Sequence, residues 1–151
     1  MHEFLLELGY PALFLLSFLA STLVPLGSEW LVVALVVAGF TPSAVVLVAT
    51  VGNVLGAATS YWIGLCGSTF LATRILRMDE QALRLAEARF ARYGSWGLLL
   101  SWLPVVGDPL CLVAGMLRVP LLRFFLLVLA GKAARYAVVA WATVEGRQLL
   151  F

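Results

Sequence analysis

Two acids and two bases stand where an apolar chain is least able to accommodate them. Glu29 closes the run Pro25-Leu-Gly-Ser-Glu29, Asp108 closes Pro104-Val-Val-Gly-Asp108, and Lys132 and Arg135 lie three residues apart in a later apolar stretch. Ionisable groups at membrane depth are rare, costly and lean towards function. Two acids against two bases read either as buried ion pairs that pin the structure or as a site in which the bases hold an anion and the acids exchange protons; the second reading is favoured. Asp108 before Pro109 has the order of an N-cap acceptor followed by proline at the first helical position, and Ser28 with Glu29 can open another helix in the same way. Two such helix N-termini meeting near the midplane, with unpaired N–H groups and positive dipole ends, make an anion site. Candidate substrate-binding residues are therefore Lys132, Arg135, Ser28, Gly107 and Tyr136, with Glu29 and Asp108 as proton-coupling acids. Trp102, beside Pro104, is the tryptophan placed to line a cavity.

These residues need a membrane scaffold. Hydrophobic residues make up 63% of the 151, charged residues 12%, and the mean hydropathy is +1.03. Such a composition excludes an ordinary soluble domain. A formal charge of +2 without basic-aromatic clusters gives no reason to expect nucleic acid as a partner. His2 is the one histidine, and Cys66 and Cys111 are isolated, so the spacing offers no metal site, no cofactor and no disulfide. With no internal histidine and no Ser-His or Cys-His arrangement, an enzyme is not expected. The acidic start lacks a cleavage site, so no removable signal peptide is expected.

Four apolar blocks follow, at residues 10 to 39, 43 to 66, 95 to 117 and 121 to 143. The first would be about 45 Å long as a straight helix, against a hydrocarbon core of about 30 Å. Pro25, Gly27, Ser28 and Glu29 break its middle, and Pro104, Gly107, Asp108 and Pro109 break the third block alike. Each of these blocks is expected to be a re-entrant hairpin with Pro25, or Pro104 and Pro109, at its tip. One offset of 79 residues carries Pro25 onto Pro104, Glu29 onto Asp108, Thr22 onto Ser101, Gly52 onto Gly131 and Trp62 onto Trp141. The expected fold is all-α: one membrane domain over 1–151, with repeats at about 10–70 and 95–148, each a hairpin plus one spanning helix. An odd number of crossings per repeat makes the two inverted. Asp79 and Glu80 open a linker helix over 79–93, ended by Gly94, whose Leu83, Ala86, Phe90 and Tyr93 share a face suited to the interface. Gly52 and Gly56 form a helix-packing GxxxG, with Asn53 beside them for an interhelical bond. Arg74, Arg77, Arg84, Arg89, Arg92, Arg118 and Arg123 all fall on one side in this topology, which the positive-inside rule makes cytoplasmic, with both termini outside.

The run Ser101-Trp102-Leu103-Pro104-Val105-Val106-Gly107-Asp108, with Ala114-Gly115 and Gly131-Lys132-Ala133-Ala134-Arg135-Tyr136, resembles the YqaA-type branch of the bacterial DedA family, also called SNARE-associated or VTT-domain proteins. Pro25-x-x-x-Glu29 and Gly52-Asn53-x-x-Gly56 fit it too. The resemblance implies two inverted re-entrant hairpins in the bacterial inner membrane. It also implies lipid movement, notably of undecaprenyl phosphate, dependent on the proton gradient, with Glu29 as the embedded acid of the first hairpin. Typical members carry arginines around the second proline where this chain has Ser101 and Asp108, so Lys132 and Arg135 must supply the positive charge here.

The function expected is that of a transporter or flippase for an anionic lipid headgroup. Its alternatives are a proton-coupled cation exchanger, in which Glu29 and Asp108 bind the ion, and a non-transporting membrane scaffold or assembly factor. A cysteine placed at position 118 should be labelled from the cytoplasmic side; labelling only from outside would overturn the topology.

Overall fold

The structure, a computed structural model, describes residues 2–21, 28–67, 80–103 and 107–150. Pro25 and Pro104 at the expected hairpin tips, together with Thr22, Gly27, Arg74, Arg77 and Asp79, lie outside the described residues. The described chain is helical throughout: α1 (His2–Ala20), α2 (Glu29–Val37), α3 (Pro42–Leu65), α4 (Glu80–Tyr93), a 3₁₀ segment (Gly94–Trp102), α5 (Gly107–Met116) and α6 (Leu121–Leu150). Among the described residues, α3 and α6, with 24 and 30 residues, are long and apolar enough to cross a membrane.

Local chemistry sets the element ends. Pro42 opens α3 at a position where its missing N–H removes no bond. α2 ends with Gly39 N–H on Val36 O (3.1 Å) and Phe40 N–H on Leu35 O (3.0 Å), and α5 ends with Arg118 N–H on Gly115 O (3.1 Å) and Val119 N–H on Ala114 O (3.0 Å). Both are Schellman caps, with the left-handed residue at Gly39 (φ 98°) and at Arg118 (φ 54°). The caps at 39 and 118 and the helix starts at 42 and 121 are related by the offset found between the two Pro-x-x-x-acid motifs.

Glycines bring the helix backbones together. A Cβ at Gly52 or Gly56 would come within 2.6 Å of the carbonyl oxygen of Phe14 or Phe18 on α1. At the other end of α3, a Cβ on Gly64 would sit 2.0 Å from Leu112 O, and one on Gly115 of α5 would sit 2.0 Å from Tyr61 O. Small residues are what permit such approach between membrane helices. α6 runs beside α3 and contacts the 3₁₀ segment and α2.

The two ends of each interrupted block lie close together. Tyr10 and Phe40 stack edge to face with centroids 5.2 Å apart, so the first block returns to the end from which it left. Arg123 donates to Ser95 Oγ at 3.5 Å, which closes the third block at its own end, and Tyr61 near the end of α3 reaches Val119 O at 2.5 Å. The two openings therefore lie at opposite ends of α3.

Several expectations need correction. α1 starts at His2 rather than near residue 10, and α6 continues to Leu150. The first arm of the third block winds as a 3₁₀ segment instead of an α-helix. Leu83, Ala86 and Phe90 of α4 are buried against α5 and the 3₁₀ segment while Tyr93 is exposed, so this helix uses its apolar stripe on protein and not on an interface.

The crossing of α3 and α5 has little room to yield, because carbonyl oxygens rather than flexible side chains face the glycines. Gly64→Val and Gly115→Val should each lower stability by at least about 2 kcal/mol, read as a fall in the thermal midpoint of the protein in detergent. Gly146→Ala, where an added Cβ meets nothing within 4 Å, should raise it by up to about 1 kcal/mol. Wild-type melting of both valine variants would refute the close crossing.

Candidate functional site

Lys132, from the middle of α6, is 1% exposed. Its Nζ donates to Ser21 Oγ at 3.1 Å, to Asp108 Oδ1 at 3.3 Å and to Asn53 Oδ1. An ammonium has three donors, and all three are used. Ser21 Oγ in turn donates to Asp108 Oδ1 at 2.8 Å, and Asn53 Nδ2 donates to Ser17 O at 2.9 Å. Ser21, just past the end of α1, and residues of α3, α5 and α6 thus meet on one charge. Such convergence is required, since a buried ion without partners costs several kcal/mol.

One turn further along α6, Arg135 pairs with Glu29, the first residue of α2. The pair is only partly covered, with side chains 16% and 26% exposed. The guanidinium also lies 5.8 Å from the centre of the Tyr136 ring, and the Tyr136 hydroxyl shares a 2.6 Å hydrogen bond with Ser28 Oγ. Glu29 at a helix N-terminus is favoured by the dipole of α2.

These geometries change the expected capping. Ser28 stands at the N-cap of α2, but its hydroxyl caps no N–H, because Tyr136 takes it. Asp108 is not an N-cap: α5 begins at Gly107, so Asp108 and Pro109 lie in its first turn, and the carboxylate is turned to Lys132 and Ser21. Gly107 is buried against the Ser101 carbonyl, 2.2 Å from where its Cβ would be.

A lateral groove of about 860 Å³ runs along α6, lined by Leu99, Trp102, Gly131, Ala134 and Val138 and by Glu29 and Arg135. Among the described residues, this ion pair supplies the only charges in an apolar wall. The arrangement matches an amphiphile: a charged group at the pair, a hydrocarbon tail along the wall. Lys132 does not line the groove. The two bases that share a face of α6 in sequence are thus divided, one enclosed and one presented.

The residues that sequence reasoning passed over are Ser21 and, as a ligand of Lys132, Asn53. A signal for Asn53 was present, since it lies 79 residues before Lys132, the spacing of the duplicated motifs. Nothing local marked Ser21.

The family model described as the VTT domain matches residues 24–144, a span that includes Glu29, Asn53, Asp108, Lys132 and Arg135. The chain is 44% identical over 139 residues to the "Inner membrane protein YqaA" of Escherichia coli (strain K12), covering 89% of this chain and 91% of that protein. An uncharacterized protein of Haemophilus influenzae is 38% identical over 134 residues, covering 82% of this chain and 80% of that protein. No solved structure gives a significant match. The motifs around the two ion pairs and the match over most of the chain lead to one family: this protein belongs to the VTT-domain (DedA) family.

Proposed function

We propose that the protein is a small transporter or flippase of the bacterial inner membrane, which passes the headgroup of an anionic lipid across while the tail stays in the bilayer. The observation that carries this reading is the lateral apolar groove whose charged residues are Glu29 and Arg135. At about 1.5 Å per residue, Arg135 lies about 21 Å along α6, near the depth of the bilayer midplane. A phosphate is a suitable ligand for a planar guanidinium, which binds it with two parallel hydrogen bonds. An arriving headgroup exchanges Glu29 for phosphate on Arg135, and protonation of the released Glu29 would remove the like-charge penalty. An undecaprenyl-phosphate or phospholipid headgroup has this chemistry.

The architecture supports such movement. Two blocks that fold back at opposite ends of α3, with equivalent caps at Gly39 and Arg118, read as re-entrant hairpins of inverted repeats. Asn53 and Lys132 are repeat-equivalent and touch each other, as residues do on an axis that relates two halves. The inner-membrane location is supported by the name of the E. coli relative and by the apolar exterior, where Trp62, Leu122 and Trp141 are 61%, 74% and 65% exposed. The end carrying Arg92, Arg118 and Arg123 is read as cytoplasmic and the termini as external.

Proteoliposomes with a fluorescent anionic lipid in one leaflet test the reading, with a zwitterionic lipid as control. Arg135→Ala should slow translocation of the anionic lipid by at least about tenfold, because a charge-assisted hydrogen bond contributes about 1.5–3 kcal/mol. Glu29→Gln should alter its dependence on pH. Folded Arg135→Ala protein that moves the lipid at the wild-type rate would sink the proposal.

A further inference from the structure

α6 stands between two grooves. The first, with Glu29 and Arg135, lies on the face that includes Gly131 and Val138. Ala133, Ala137 and Ala140 line a second, a trough of about 650 Å³ between α6 and α3, with Val46 and Leu47 on the α3 side. These alanines stand two residues on from Gly131, Arg135 and Val138, and two residues of an α-helix turn through about 200°, so the trough faces the other way. Its lining side chains carry no charge, and Ser43 and Thr50 supply its hydroxyls.

Towards the end of α6 the trough runs into a polar cavity of about 560 Å³, with which it shares Pro42 and Val144. Arg147 and Gln148 of α6 line this cavity on one side, and Gly39 and Thr41, in the turn between α2 and α3, on the other. Thr41 is the N-cap residue of α3, yet its hydroxyl caps no N–H. No acid lines the cavity, and no acid among the described residues pairs with Arg147. A cavity with an unmatched cation thus opens on an uncharged trough, which is the division of an anionic amphiphile. From Val144 to Leu129 the trough follows α6 for about 22 Å, more than one leaflet of a hydrocarbon core about 30 Å thick. We propose that this seam binds an anionic phospholipid, whose phosphate is held by Arg147 with Gln148 and Thr41 and whose tail lies between α3 and α6 along Leu47 and Ala137.

Two other readings of this surface fit it less well. Arg147 is in the last turn of α6, where the helix dipole favours a cation without any ligand. Arg123, however, sits at the opposite end of that helix with Arg92 and Arg118, where charge-guided orientation gathers arginines, and Arg147 stands apart from them against a cavity. Ala133 and Ala137, four residues apart, also suit the close approach of another helix. A second copy of this chain, packed here about a twofold axis along the membrane normal, would set its own Arg147 at the same depth with no acid between the two. A phosphate answers that charge instead, as a planar guanidinium binds it with two parallel hydrogen bonds. The proposal does not rest on transport, since the lipid is held rather than carried and Arg135 has no part in it.

Photo-crosslinking of the purified full chain in phosphatidylcholine nanodiscs tests it. Phosphatidylglycerol and phosphatidylcholine probes, each with a diazirine in one acyl chain, are compared at equal mole fraction, and labelled residues are mapped by peptide mass spectrometry. At the seam, on Val46, Leu47 or Trp141, the anionic probe should label about tenfold more than the zwitterionic one. Only these positions count, because Leu99 and Val138 report the groove on the other face. Arg147→Gln should bring the two probes to the same level, and Arg147→Lys should keep a preference for the anionic one. A photoreactive side chain at position 137 should capture lipid. Equal labelling of the seam by both probes in wild-type protein overturns the proposal, as does a preference that survives Arg147→Gln or capture of a second copy of the chain from position 137.

Discussion

An ammonium in an apolar interior must be given three acceptors and a counter-charge, and no single helix can provide them. For Lys132 the requirement is met by bringing α1, α3, α5 and α6 to one point. Removing one partner of a buried pair typically costs about 3–5 kcal/mol, comparable with much of the stability of a small protein. The remainder of the fold can be understood as the scaffold needed to keep that meeting point closed. Gly52 and Gly56 let α1 approach until the Ser17 carbonyl and the Ser21 hydroxyl reach the residues around Lys132. Gly64 and Gly115 hold α5 against α3, so that Asp108, in the first turn of α5, faces inward.

The second ion pair obeys a different rule. Glu29 and Arg135 pair with each other and keep a side open to the groove, so they have the pairing without the enclosure. Tyr136 links the pair to the backbone frame through Ser28, fixing the start of α2 against α6. One helix therefore carries two bases separated by one turn, the first satisfied from all directions and the second left with a face to offer. Burial, not charge, separates their roles.

Much of this was legible from composition and spacing, and the remainder was not for identifiable reasons. Apolar run lengths place α3 and α6, because helix length is a local property. The end of α4 at Gly94 is legible on the same ground. Which acid faces which base was not, since Glu29 and Asp108 are equivalent in sequence and only tertiary distance assigns Asp108 to Lys132 and Glu29 to Arg135. Capping was misread at both sites because a local rule assumes that a side chain has no better partner; Tyr136 and Lys132 are the better partners. The docking of α4 was likewise hidden, as an apolar stripe looks the same whether lipid or protein covers it.

The crossing of α3 and α5 has one more implication. Seventy-nine residues from Gly64 and Gly115 stand Thr143 and Val36, whose side chains do not permit the backbone approach that the two glycines allow between α3 and α5. α5 is held to α3 where glycines face carbonyls, whereas among the described residues no glycine meets a carbonyl of α2, the helix that carries Glu29 to the groove.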